Sequence, residues 1–156
     1  NVYISANSHL ASFELPQLAT VGGAVEIGHN SYLESFDMTG LASVSSFLAV
    51  EENETLASVI LPVLTSVPES LSVKNNDGLQ SLEMAQLNTV GELNIETNGA
   101  LSSFDLSSLA SVLGHLRIRH NTSLSQCDVD ALETQVQAAG GIDGLAITDD
   151  NGVGCD

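Results

Sequence analysis

Aliphatic positions recur along this chain with one long period, and a single polar residue keeps time with them. Asn7, Asn30, Asn53, Asn76, Asn98 and Asn121 follow one another at intervals of 23, 23, 23, 22 and 23 residues. Three residues before each stands Ile4, Ile27, Val50, Val73, Ile95 or Ile118, and two before those Val2, Val25, Leu48, Leu71, Leu93 or Leu116. After each Asn come Leu10, Leu33, Leu56, Leu79, Leu101 and Leu124, then Phe13, Phe36, Val59, Leu82, Phe104 and Cys127. Later columns complete the unit: Leu15, Met38, Leu61, Met84, Leu106 and Val129, then Leu18, Leu41, Leu64, Leu87, Leu109 and Leu132, and finally Val21, Val44, Val67, Val90 and Val112. A self-similarity of this period marks a repeat architecture.

Within each unit the apolar spacing is two, as in Val25-x-Ile27 and Phe36-x-Met38, which is strand spacing. Strands this short cannot bury a core alone, but equivalent strands stacked at about 4.8 Å form a parallel ladder in which each coil covers the next. The predicted fold is therefore all-β, a parallel β-solenoid of 23-residue coils. Six coils over 1–126 make a rod of roughly 30 Å, and 1–156 reads as one domain.

Residues 127–156 depart from the repeat. Asp128 is placed to cap a helix with Val129, Leu132 and Val136 on one side, and Gly140-Gly141 supply its stop. Leu145-x-Ile147 then restates the first-strand signature 29 residues after Leu116-x-Ile118, with Asp150 in the Asn position. This helix and strand are expected to shield the last coil. Cys127 and Cys155 bracket the unit and are expected to form one disulfide that pins it, implying an oxidising compartment; the alternative is two reduced core thiols. No corresponding cap precedes Val2-Tyr3-Ile4, so either sequence upstream of Asn1 continues the solenoid or the first coil offers an open edge to another chain.

Asn is a poor strand former, so its column marks a corner. Turned inward, its amide can serve backbone carbonyls that the bend leaves unpaired, and the Asn of the next coil. The column is expected to be structural. Ser12, Ser35, Ser58, Ser81 and Ser103 are expected to seal the next corner through local backbone bonds. Two glycosylation sequons, Asn53-Glu54-Thr55 and Asn121-Thr122-Ser123, place their acceptor nitrogens in the inward column and are expected to stay unmodified.

Composition narrows function. Twenty acidic residues face only Lys74, Arg117 and Arg119, for a formal charge of -17, so neither a phosphate backbone nor an anionic membrane surface is a partner. No 18-residue apolar window is present, so no membrane insertion is expected.

The string Val21-x-Gly23-x-Val25-x-Ile27-x-x-Asn30-x-x-Leu33-x-Ser35-Phe36-x-Met38-x-x-Leu41-x-x-Val44, echoed by Val90-Gly91-x-Leu93-x-Ile95-x-x-Asn98-x-x-Leu101-x-Ser103-Phe104, resembles the receptor L-domain pattern. That family is related to the leucine-rich repeats and includes the ligand-binding L domains of growth-factor receptors and repeats of bacterial and fungal surface proteins. The resemblance covers residues 1 to about 126, and the Cys, short helix and Gly/Asp-rich tail with a second Cys is similar to its bacterial branch. It implies a right-handed solenoid at the cell surface. It transfers no ligand-contact residues.

Outward columns are where a task can be read. Beside the first strand run Tyr3, Glu26, Ala49, Ser72, Asn94 and Arg117, and two residues on Ser5, Gly28, Glu51, Lys74, Glu96 and Arg119. All three cations lie here, and Glu51, Lys74, Glu96 and Arg119 alternate in sign as an ion-pair ladder would. This is the expected ligand-binding face. The second-strand column, Glu14, Asp37, Ile60, Glu83, Asp105 and Asp128, stacks like charges, which predicts raised pKa values or a bound cation such as calcium. No other cofactor or metal site is expected, and the tail carboxylates Asp143, Asp149, Asp150 and Asp156 read as a solvated acidic segment. Hydroxyls at Thr20, Ser43, Ser66, Thr89 and Ser111 line the third side, but Ala19, Ala42, Thr65, Asn88 and Ala110 break the paired row that an ice-binding surface needs. His9, His29, His115 and His120 fall in different columns, so no catalytic or metal-binding set assembles from spacing. The expected function is a non-enzymatic extracellular or cell-surface recognition or adhesion module for a protein or glycan. The alternatives are a subunit that associates end to end through its first coil and, third, a carbohydrate-active enzyme using Glu83 and Asp105.

Overall fold

The computed structural model describes residues 1–154. The chain winds as a β-solenoid whose turns each carry three short strands, one per side. The first turn holds β1 (Val2–Ser5), β2 (Ser12–Glu14) and β3 (Thr20–Val21); the second β4 (Val25–Gly28), β5 (Ser35–Asp37) and β6 (Ser43–Val44). The third opens with β7 (Leu48–Glu51) and β8 (Ser58–Ile60) and ends in β9 (Ser66–Lys74), which bends round the corner into the fourth. β10 (Ser81–Glu83) precedes a second corner-spanning strand, β11 (Thr89–Glu96), followed by β12 (Ser103–Asp105), β13 (Ser111–Val112) and β14 (Leu116–Arg119). A helix, α1 (Gln126–Ala139), then replaces the second-side strand, and β15 (Gly141–Ile142) and β16 (Ala146–Ile147) finish the stack.

The strand pairings among the described residues are parallel, and through the first four coils they keep the register that the period dictates, for example Val2↔Val25, Val25↔Leu48 and Leu48↔Leu71 on the first side. That side orders β1-β4-β7-β9-β11-β14-β16. The second side is two ladders, β2-β5 and β8-β10-β12. The aliphatic columns fill the lumen: Ile27, Val50, Val73, Ile95 and Ile118 are at most 1% exposed, as are Val25, Leu48, Leu71, Leu93 and Leu116. Full burial of such side chains contributes about 1.5–3 kcal/mol each. Phe13 and Phe36 stack at 5.4 Å between centroids on the second side.

The Asn column is a continuous ladder. Each Oδ1 from Asn30 onward accepts the backbone N–H of the preceding Asn at 3.0–3.3 Å and its Nδ2 at 3.1–3.3 Å. Each Nδ2 also donates to a strand carbonyl one coil back, from Asn30 to Ile4 through Asn151 to Ile118, at 2.8–3.0 Å. Asn30, Asn53, Asn76, Asn98 and Asn121 are fully buried, whereas Asn7, at the rim of the stack, is exposed. The residue before each Asn is left-handed: Ala6, His29, Glu52, Asn75, Thr97, His120 and Asp150 have φ of 54–58°. L-residues resist this region, yet its use lets their own N–H groups extend the strand ladder, as His29 does to the Glu51 carbonyl at 3.0 Å, while the next side chain turns inward.

The 22-residue turn drops its residue at the corner between third and first sides. Leu71 follows Val67 by four residues but Leu93 follows Val90 by three, and the β9–β11 register shifts between Val90 and Glu92. A Cβ on Gly91 would stand 1.9 Å from the Glu69 carbonyl oxygen and 2.4 Å from that of Pro68, so the tightened corner requires glycine.

The cap differs from expectation in three respects. Ser125, not Asp128, is the N-cap of α1, accepting from the Cys127 backbone N–H at 3.2 Å; Asp128 sits in the first helical turn, where its charge suits the dipole, and not in the second-side column. Val129, Leu132 and Val136 are buried as expected. The last strand is one residue out of the expected frame: Leu116 pairs with Ala146 and Arg117 with Ile147, leaving Leu145 63% exposed. Asn151, not Asp150, takes the ladder position, because only an amide can both accept from Asn121 and donate to Ile118. Cys155 and Asp156 lie outside the described residues, and with Cys155 the expected bridge to Cys127. Among the described residues no helix is long and apolar enough to cross a membrane.

Candidate functional site

The first side presents the expected face in register. Tyr3 pairs with Glu26, Glu26 with Ala49, Ala49 with Ser72, Ser72 with Asn94 and Asn94 with Arg117. Alongside, Glu51, Lys74, Glu96 and Arg119 follow one another strand by strand. Tyr3 stands at the rim, 58% exposed. The middle of the face is sunken: Ala49, Ser72 and Asn94 point outward from the sheet but are only 9%, 9% and 6% exposed. They line a depression of about 430 Å³ together with Glu26, Glu51 and Lys74.

Its remaining lining comes from the corner between third and first sides, which the periodic columns do not include. Phe47, Glu69 and Ser70 stand there. The signals were a lone aromatic at Phe47 and an extra carboxylate at Glu69, the latter in the corner residues where turn length varies. Ser46 Oγ donates to Glu69 Oε2 at 2.6 Å, Asn94 Nδ2 to Ser70 Oγ at 3.3 Å, and Ser72 Oγ to Glu51 Oε1. Glu51, Ser70, Ser72 and Asn94 are thus tied to one another within the depression, and Glu69 is tied to Ser46 beside it.

The alternating ion ladder forms in part. Lys74 Nζ lies 3.0 Å from Glu96 Oε1, and Arg119 Nε 4.0 Å from Glu96 Oε2. Glu51 is absent from the series because the Ser72 hydroxyl takes it. Arg117 reaches instead to Glu92, at 3.5 Å, and to Asn94 Oδ1, at 3.1 Å.

On the second side Glu14 stands beside Asp37, and Ile60, Glu83 and Asp105 follow in register. The raised pKa values expected here are overturned at two positions. Asp37 titrates below the ordinary carboxyl range because the Thr39 backbone N–H and then its hydroxyl donate to it, at 2.9 and 2.7 Å. Asp105 is likewise lowered, by the Ser107 hydroxyl first and its backbone N–H second. Each aspartate turns onto its own following turn rather than toward the neighbouring coil, a pattern written as Asp-x-Thr and Asp-x-Ser. The Ser column at the starts of these strands points to solvent or half into it; corner carbonyls are met instead by Thr55, Ser102 and Ser123.

The histidines are dispersed. His29 pairs with Glu52 at 2.8 Å, His120 with Asp150 at 3.6 Å, His115 accepts from the Leu145 N–H at 2.9 Å, and His9 stacks on Tyr32. Among the described residues no group of three His, Cys, Asp or Glu gathers to hold a metal ion. Set beside known proteins, the chain matches no family model, no curated protein and no solved structure.

Proposed function

We propose that this is a non-enzymatic recognition or adhesion module, exported to the cell surface or beyond, that receives a protein or glycan on its first-side face. The observation that carries the reading is the sunken middle of that face, where outward side chains from four successive coils form one preorganised depression on a rigid ladder. We read the repeat as receptor L-domain-like on the strength of the two strings that carry the resemblance, and Cys127–Cys155 as its terminal bridge. The test is binding of the labelled protein to an array of glycans and cell-surface proteins. Ligands should be lost on Ser72→Arg, which fills the depression, and retained on Thr89→Arg, on the third side; binding that survives Ser72→Arg overturns the reading. Turnover of a polysaccharide panel, lost on Glu83→Gln, would establish the enzyme reading instead.

A second reading, end-to-end association, is favoured by the first coil, where Val2, Leu10, Phe13 and Leu18 are only partly buried against the core and Glu14 is the one charged side chain among residues 1–22. Sedimentation equilibrium that finds only monomer at high concentration excludes it.

A further inference from the structure

We infer that the ligand of the first-side face is a protein that brings a Lys or Arg side chain into the depression; the inference rests on the recognition reading above and names its partner class. The face is electrically divided. Its C-terminal half carries all three cations of the chain, each with a carboxylate within 4.0 Å: Lys74 and Arg119 share Glu96, at 3.0 and 4.0 Å, and Arg117 reaches Glu92 at 3.5 Å. In the other half Glu26, Glu51 and Glu69 surround the depression, and among the described residues none of them has a cation within 4.0 Å. Glu51 and Glu69 are steered by the Ser72 and Ser46 hydroxyls, which orient a carboxylate without cancelling its charge.

Between these carboxylates lie Phe47 and Ala49, an apolar surface suited to the alkyl stem of a basic side chain, with a ring that can also meet its charged head. Lys74 stands across the strand pair from Glu51 but turns its Nζ to Glu96, so like charge disfavours a bound cation on that side and favours it toward Glu26 and Glu69. The chemistry selects a charged tip on an apolar stem. A neutral glycan can hydrogen-bond to these carboxylates but leaves their charge unbalanced, whereas a cation does both, and an anionic glycan is repelled. The overall charge of -17 adds long-range attraction for such a partner, which raises the association rate and makes it salt-dependent.

The test uses a fluorescein-labelled peptide of alternating Lys and Ala, its Gln-and-Ala counterpart, and anisotropy at about 0.15 M salt, where charges beyond roughly 8 Å are screened. The Lys peptide is expected to bind, the Gln peptide not. Glu26→Gln with Glu69→Gln should weaken the Lys peptide about tenfold, while the charge-matched pair Glu14→Gln with Glu83→Gln on the second side should change it less than about twofold. Equal losses from the two pairs would mean attraction to a polyanion at large and overturn the inference, as would equal binding of the two peptides. If neutral glycans bind and are lost on Ser72→Arg while the Lys peptide does not bind, the partner class is wrong and the recognition face stands. If no ligand on the array is lost on Ser72→Arg, the face itself is wrong.

Discussion

Asn76 lies at the middle of the ladder and offers the most direct measure of what the corner amides do. It is fully buried. Its Nδ2 donates to the Val50 carbonyl at 2.9 Å and to Asn98 Oδ1 at 3.2 Å, and its Oδ1 accepts from the Asn53 backbone N–H at 3.0 Å and from Asn53 Nδ2 at 3.3 Å. Asn76→Ala strands one buried backbone group, the Asn53 N–H, and removes one of two donors from the Val50 carbonyl, which keeps the Lys74 N–H of the β7–β9 ladder. Asn53 Nδ2 keeps its bonds to Ile27 and Glu51, and Asn98 Oδ1 keeps the backbone N–H of residue 76. At about 1–3 kcal/mol for the orphan and about 1 kcal/mol for the bond lost at Val50, the expected loss is about 3 kcal/mol. Asn7→Ala removes bonds only at an exposed rim and should cost within about 1 kcal/mol. Urea unfolding followed by far-ultraviolet circular dichroism compares the two variants. Because each coil touches only its neighbours, the penalty falls on the junction between the third and fourth coils, and native-state hydrogen exchange should show the Asn53 amide losing protection. Asn76→Asp keeps the acceptor but sets a second carboxylate oxygen against the Val50 carbonyl and Asn98 Oδ1, so at neutral pH it should be at least as destabilising as alanine and recover relative to it on acidification, when the protonated acid can donate. If Asn76→Ala costs no more than Asn7→Ala, the ladder is decorative and the account of the corner is wrong.

Gly91→Ala should destabilise by several kcal/mol, since its Cβ meets two backbone oxygens at 1.9 and 2.4 Å, while Gly99→Ala, with nothing within 4 Å of its Cβ, should cost no more than about 1 kcal/mol; thermal melts of the two decide. The lowered pKa values of Asp37 and Asp105 mean that their contribution to stability is present above the unfolded carboxyl pKa and lost as pH falls through the folded value. NMR carboxyl titration should find Ser107→Ala restoring the larger part of the Asp105 shift and Thr39→Ala the smaller part of the Asp37 shift, because the hydroxyl is the larger cause only at Asp105. Intact mass after expression in a glycosylating host should show no hexose series, as Asn53 and Asn121 are fully buried with their amide nitrogens donating inward; sugar at either refutes the inward assignment. Thiol titration of the denatured, unreduced chain should find no free thiol, and two would remove the bridge expected between Cys127 and Cys155.

What the sequence made legible is what the period repeats. Lumen columns, strand pairing and the Asn ladder follow from position in the period, because a slip of one residue would turn every aliphatic side chain of a strand to solvent, and the helix follows from its own apolar spacing and Gly stop. The period loses its authority where the chain stops obeying it. Beyond Leu124 the inserted helix removes the ruler, and Leu145-x-Ile147 looked like a first strand although Ala146 holds that register; only Asn151 betrays the frame, by being an amide. The left-handed column was invisible for a different reason. Ala6, His29, Glu52, Asn75, Thr97, His120 and Asp150 include no glycine, so the conformation is imposed by the ladder bonds on either side and not by the residue that adopts it. The corner residues Phe47, Glu69 and Ser70 escaped because they belong to the one stretch where turn length changes, and there alignment by column fails.

These two kinds of position divide the labour of the molecule. A solenoid coil is constrained wherever its side chains face the lumen or the ladder, since each is copied by the coil above and below and a change propagates to both. Freedom to differ from coil to coil survives only on outward strand positions and at corners, so any recognition must be written there. On the first side the outward residues change from coil to coil, Tyr3, Glu26, Ala49, Ser72, Asn94 and Arg117, whereas the outward Thr and Ser at the third-side positions 20, 43, 66, 89 and 111 scarcely vary. The corner that rises beside the first side is also the one whose composition varies, from Gly22-Gly23-Ala24 to Ser45-Ser46-Phe47 to Pro68-Glu69-Ser70, and whose length then falls to Gly91-Glu92. Variation concentrated on one side and on the corner that overlooks it is what a rigid stack must use to hold a single ligand in a single place, which is why the sunken centre of that side, rather than the even columns elsewhere, is where a partner should be sought.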